Sequence, residues 1–122
     1  SMPKKKVLVV DDTAAHLQHL ADIVSTAGYQ VITATSGKEA IEKSRSEKPN
    51  MIFLDIVMDD LDGYGACREI TRGEDTRDIP VVFVSTKNQR ADRLWAEKQG
   101  AKALLTKPAD SAQIVDSLET YI

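Results

Sequence analysis

Two apolar runs of this sequence end in acid. VLVV, residues 7–10, runs into Asp11 and Asp12, and MIFL, residues 51–54, runs into Asp55. Carboxylates brought together repel: a like-charged pair ~4 Å apart costs roughly 1 kcal/mol in water and about 4 kcal/mol at an effective dielectric of 20. Such a cluster persists when one member keeps a proton or a cation lies among them. A hard divalent ion suits an all-oxygen donor set. Mg²⁺ takes one or two carboxylates and completes its octahedron with water and phosphate oxygens. A plainer reading stands beside this one, because aspartate is a common helix N-cap and either acid of the first pair would serve to start a helix. The tandem pair, together with a third acid after a separate run, favours a site.

Two further groups follow apolar runs in the same way. Residues 81–84 lead into Ser85 and Thr86, and residues 103–105 lead into Thr106, Lys107 and Pro108. Taken singly, Ser85 is an ordinary turn residue and Lys107 an ordinary solvated lysine. Taken together beside a carboxylate–metal cluster, they supply the hydrogen-bond donor and the counter-charge that a phosphoryl group needs.

The elements that must position these groups alternate. Residues 7–10, 30–34, 51–54, 80–84 and 102–106 read as strands, short and rich in β-branched or apolar residues. Between them run helical patterns. Ala14, Leu17, Leu20, Ala21 and Val24 recur at helical spacing, with Gly28 as the stop. A capping box, Ser36 with Glu39, opens a second helix whose inner face is Ala40, Ile41 and Ser44, ending before Pro49. Helices are also expected over residues 63–72, 88–99 and 111–121, the last with Ile114, Leu118 and Ile122 on one face. Five βα units with continuous apolar strands imply a doubly wound α/β fold, a parallel sheet covered on both faces with right-handed crossovers. In such sheets ligands bind beyond the carboxyl ends of the strands, where strand order reverses. Asp11, Asp12, Asp55, Ser85 and Lys107 all fall at that end.

Composition bounds the rest. The 122 residues suit a single domain with one core, and 42% apolar with 29% charged is an ordinary balance. A net charge of −3 advertises no basic face for nucleic acid. No apolar run approaches the ~20 residues of a membrane span, and there is no signal-peptide pattern. The lone Cys67 forms no internal disulfide, which points to a reducing compartment, the cytoplasm. Ser1 ahead of Met2 reads as a tag remnant, and the Lys4–Lys6 run as a solvated start to the first strand.

VVDD, FLDIVMDDLDG, PVVFVST and LLTKP, in that order, resemble the receiver domain of bacterial response regulators, the CheY-like fold, over essentially the whole chain. The resemblance implies a five-stranded sheet of flavodoxin-like order 2-1-3-4-5. It implies Asp55 as phosphoacceptor, with Mg²⁺ held by Asp11, Asp12, Asp55 and the Val57 backbone carbonyl. It implies Ser85 as switch hydroxyl, Lys107 as partner of the phosphoryl group, a cis Lys107–Pro108 bond, and Gly63 in the turn after the phosphorylated strand. Such a domain is a switch rather than an enzyme, catalysing only its own phosphorylation and dephosphorylation. Its partners are a sensor histidine kinase and a downstream protein, without nucleic-acid binding or membrane insertion by this domain. Residues 85–108 are similar to a subgroup, the PilH-type regulators of type IV pilus twitching, whose kinase is CheA-like.

Several residues depart from the usual pattern. Asp59 stands where many receivers have proline, and Asp59, Asp60 and Asp62 make an acidic loop with a bearing on metal affinity or kinase docking. Leu104 replaces the usual switch aromatic on the fifth strand, and Lys87 stands where some receivers have an acid, with a bearing on hydrolysis rate. Trp95 reads either as partly buried at the sheet edge or as an anchor for a partner. His16 and His19 fall on a solvated helix face, Cys67 is a small apolar residue, and Tyr64, Tyr121, Met51 and Met58 are packing or loop anchors. A receiver belonging to a longer regulator or hybrid kinase would share all of these features. A haloacid-dehalogenase-like phosphatase uses similar groups, but its nucleophile belongs to a D-x-D motif on the first strand. A nucleotide-binding domain would need a glycine-rich loop where this chain has DDTAA.

Overall fold

The computed structural model describes residues 3–122; Ser1, read above as a tag remnant, lies outside them. The elements alternate as β1 (Lys6–Val10), α1 (Ala14–Thr26), β2 (Gln30–Ala34), α2 (Gly37–Glu47), β3 (Met51–Leu54), α3 (Gly63–Arg72), β4 (Val81–Ser85), α4 (Arg90–Lys98), β5 (Ala103–Thr106) and α5 (Ser111–Tyr121). The five strands form one parallel sheet in the order β2-β1-β3-β4-β5.

The unbroken apolar strands have a direct cause. Successive side chains point to opposite faces, and both faces are covered. Val7, Val9, Met51, Phe53, Val82 and Val84 pack beneath Leu20 and Val24 of α1 and Ile114 and Leu118 of α5. Leu8, Val10, Ile52, Leu54, Val81 and Phe83 pack on the other face, against Ala40 and Ile41 of α2, Ala66, Cys67 and Ile70 of α3, and Ala96 of α4. The edges of the sheet are guarded by cations. Lys43 Nζ donates to the Thr33 carbonyl on β2 at 2.6 Å, and Arg93 Nη1 to the Leu104 carbonyl on β5 at 3.2 Å. Occupied edge carbonyls discourage pairing with another chain.

β1 lies between β2 and β3, so the chain winds one way from β1 and then the other. The carboxyl ends of β1 and β3 are therefore neighbours at the switch point. The ladder runs one residue past each strand: Asp11 N donates to Ala34 O at 3.2 Å, and Asp55 N to Val10 O at 3.1 Å. Both acids are thus held at the backbone by the sheet itself.

The differences from expectation are local. α4 runs Arg90–Lys98 rather than 88–99, because Gln89, whose N–H donates to Asp92 Oδ2 at 3.1 Å, precedes the first turn. Ser36 caps α2 as expected, accepting from Glu39 N at 3.1 Å, but Glu39 reaches back one residue further, to Thr35 N at 2.7 Å. Ile114 and Leu118 are buried as expected, whereas Ile122, at the C-terminus of α5, is 38% exposed.

The acidic loop between β3 and α3 is largely committed to capping. Asp62 Oδ1 accepts from Gly65 N at 2.9 Å as the N-cap of α3. Asp60 reaches another helix: its two oxygens accept from Gly37 N and Lys38 N of α2, each at 3.0 Å. The bond from Lys38 N, above all, holds the Asp60 carboxyl below its ordinary range. A lowered acid stabilises the fold above the ordinary carboxylate range and loses that effect as pH falls through the lowered value. Asp60→Ala should cost about 1 kcal/mol at neutral pH by urea denaturation. The gap from the native chain should narrow in acid.

Candidate functional site

The site is built from strand ends. Asp11 and Asp55 follow β1 and β3 directly, and both are buried, while Asp12 is exposed. One carboxylate oxygen from each of Asp11, Asp12 and Asp55 lies within 4.8 Å of the others. The N-cap reading of the first pair does not hold. Thr13 is the N-cap of α1, and Asp11 Oδ1 accepts from Thr13 N at 2.9 Å, outside the helix. Asp55 Oδ1 accepts from Ile56 N at 2.7 Å, which fixes the rotation of that carboxylate.

Lys107 reaches this cluster from the loop after β5. Its Nζ donates to Asp11 Oδ2 at 2.6 Å and to Asp55 Oδ2 at 2.9 Å. Burial alone would lower the ammonium's pKa, but the hydrogen bonds to Asp11 and Asp55 outweigh it and hold Lys107 above its ordinary value. A raised lysine contributes its stability below the ordinary lysine range and loses it as pH rises through the raised value, so the pairs are intact at neutral pH. The Lys107–Pro108 bond is cis, as the resemblance implies.

Ser85 ends β4 fully buried. Its carbonyl accepts from Lys107 N at 2.9 Å and its hydroxyl from Lys87 N at 3.2 Å. The hydroxyl therefore closes its own turn. Lys87 Nζ lies 3.9 Å from Asp92 Oδ1, the same oxygen that accepts from the Tyr64 hydroxyl at 3.1 Å. Tyr64 also packs edge-on against Phe83. Leu104 is buried in the core face beside Phe83 and Ala96. Val57 follows Asp55 in the loop, its side chain exposed. Gly63 donates to Ile56 O at 2.7 Å, and a Cβ there would run into the Asp55 carbonyl. Glycine is needed because α3 starts against the acid-bearing loop.

Two residues set aside in the sequence belong here. His16 Nδ1 lies 2.9 Å from Lys107 Nζ and 3.9 Å from Asp11 Oδ2, and His19 Nε2 lies 3.2 Å from Ala109 O. Both line a cavity of about 340 Å³ with Asp11, Leu20, Thr86 and Lys107. Their helix face turns to the β5–α5 loop, a relation that helical periodicity does not encode. Cys67 is buried as expected, which pushes its thiol up to about 12. Trp95 is 47% exposed on α4.

A doubly wound sheet with acids at the switch point and a lysine from the loop after the last strand makes a small α/β domain with an acidic site at the carboxyl ends of its strands. Residues 7–119 match the response regulator receiver domain, and the chain belongs to that family, a receiver of two-component signalling. It is similar to the protein PilH of Pseudomonas aeruginosa, 35% identical over 117 residues that span 96% of this chain and 97% of that one. It is also 39% identical over 105 residues to a probable transcriptional regulator, ycf27 of Cyanophora paradoxa, covering 86% of this chain but 43% of that protein. Among solved structures, a chain of the CheX–CheY–BeF3–Mg²⁺ complex from Borrelia burgdorferi superposes with a TM-score of 0.89. It has 26% identity and covers 95% of this chain and 87% of that one. Among the described residues no helix is long and apolar enough to cross a membrane.

One lysine set against three close acids leaves repulsion in the cluster. Asp12→Ala should therefore raise metal-free stability, by about 1 kcal/mol for relief of one exposed like-charged contact. Urea denaturation in a chelating buffer reads this directly, and a loss of stability would mean that Asp12 is held by favourable contacts.

Proposed function

We propose that Asp55 accepts a phosphoryl group from a sensor histidine kinase of the CheA type, in a Mg²⁺-dependent reaction, and that the phosphorylated domain changes its protein partner. One observation carries this: Lys107 holds its ammonium 2.9 Å from Asp55 Oδ2 inside a cluster of oxygen donors. An Asp55 oxygen attacks phosphorus, the donor's bond to phosphorus breaks, and the leaving group takes that electron pair. The product is an acyl phosphate on Asp55. Phosphoryl transfer needs positioning and charge neutralisation more than covalent help.

Asp11, Asp12, Asp55 and the Val57 carbonyl would hold the Mg²⁺. All are hard oxygen donors, and the three carboxylates already lie close enough together to share one ion. Bound there, Mg²⁺ supplies positive charge to the phosphoryl oxygens. Lys107 supplies the rest. The superposed Borrelia complex, with its BeF3 and Mg²⁺, supports the same chemistry for this chain.

The new group brings about −1.5 to −2 of charge, by analogy with other phosphorylated side chains. Ser85 answers it by releasing Lys87 N and turning its hydroxyl to a phosphoryl oxygen, so the β4–α4 loop moves. The signal is a population shift between two packings, driven by contacts that only one of them makes with the phosphoryl group. With Leu104 on β5, no aromatic of that strand follows the hydroxyl. Similarity to PilH along nearly the full length of both chains supports a role in chemotaxis-like control of type IV pili, in the cytoplasm.

Intact mass after incubation with Mg²⁺ and acetyl phosphate tests the reading. One added phosphoryl group is expected on the native chain and none on Asp55→Asn or in chelator. A folded native chain that gains no phosphoryl group overturns it.

A further inference from the structure

An ammonium has three N–H donors, and each of Lys107's has an acceptor at hand. Asp11 Oδ2 lies at 2.6 Å, Asp55 Oδ2 at 2.9 Å and His16 Nδ1 at 2.9 Å. Two of these acceptors belong to the acid cluster and the third does not. Nδ1 can accept from an ammonium only when it carries no proton, so the contact calls for the Nε2–H tautomer of His16. It adds an acceptor without adding negative charge.

His16 is also placed to stay where it is. Leu20 and Val24 anchor α1 in the core, and His19, one turn on from His16, reaches the Ala109 carbonyl at 3.2 Å. The helix is thereby tied to the same loop that carries Lys107. The His16 side chain is 50% exposed, so it forms the solvent side of the lysine's surroundings.

We propose that His16 is a positioning residue, whose Nδ1 holds the Lys107 ammonium beside Asp55 while a divalent cation competes for the carboxylates. The proposal rests on the reading of Asp55 as phosphoacceptor. A cation shared by Asp11, Asp12 and Asp55 draws on the same carboxylates that Lys107 uses, and it repels the ammonium. Mg²⁺ prefers oxygen to imidazole nitrogen and leaves His16 to the lysine. Without that acceptor, a flexible four-carbon stem is free to swing its charge toward the adjoining cavity.

Asparagine separates an acceptor role from a space-filling one, since its Oδ1 is attached to Cγ as Nδ1 is in histidine. With acetyl phosphate and Mg²⁺, His16→Asn should be phosphorylated at close to the native rate. His16→Leu, which lacks an acceptor, should be about tenfold slower, the usual loss for one hydrogen bond to a charged group. A ¹⁵N imidazole spectrum gives a readout independent of phosphorylation: His16 should be the Nε2–H tautomer, and its Nδ1 resonance should move in Lys107→Met. The proposal is overturned if His16→Leu matches the native rate, if His16→Asn is as slow as His16→Leu, or if Nδ1 carries the proton. A folded native chain that accepts no phosphoryl group overturns the phosphoacceptor reading and this one with it. The spectrum then still shows whether the contact exists.

Discussion

Lys107 bridges two buried carboxylates that the backbone forces together. Asp11 and Asp55 extend neighbouring strands, and their amides are bonded into the sheet ladder, so neither can withdraw without breaking it. Removing one partner from such a buried group leaves an uncompensated charge, which costs far more than a surface pair contributes. Much of the surrounding structure serves this arrangement. β5 and its loop deliver the lysine, Gly63 lets α3 start against the Asp55 carbonyl, and α1 sets His16 at the lysine's third donor.

A net negative cluster at the switch point also explains how the fold can respond to charge. The two loops beside Asp55 carry local polar contacts, although the β3–α3 loop also sets Ile56 and Met58 into the core. On one side Asp60 ties the β3–α3 loop to the first amides of α2. On the other, Ser85 closes the turn at Lys87, and Asp92 gathers Gln89, Lys87 and Tyr64 around the start of α4. Single hydrogen bonds of this kind contribute about 0.5–1.5 kcal/mol each, small enough to be exchanged when a phosphoryl group offers better partners. β3 and β4, which lead into these loops, are buried along their length and do not share that freedom.

Much of this was legible in the sequence, for physical reasons. Strands buried on both faces read as plain apolar runs, and their ends mark where the acids must fall. Asp11, Asp12, Asp55, Ser85 and Lys107 could therefore be brought to one end of the sheet before any distance was known. The order 2-1-3-4-5 came from family resemblance, since periodicity does not order strands. Contacts set by how helices rotate against loops were not legible. His16 and His19 face away from the apolar stripe of α1, and only the docking of the β5–α5 loop turns that polar face into a wall of the site. Asp60 looked like excess acid because its partners, Gly37 and Lys38, lie on a different element. Glu39 missed its expected partner by one residue, a shift within the reach of a flexible carboxylate.

The central claim is that Asp55, and no other acid of the cluster, becomes the acyl phosphate. Borohydride reduces an acyl phosphate to the alcohol, which leaves homoserine where aspartate stood. Phosphorylating the native chain in Mg²⁺, reducing it and sequencing its peptides by mass spectrometry locates that residue. The account predicts homoserine at position 55 alone. Homoserine at position 11, 12 or 59, or none in a folded chain, would contradict it.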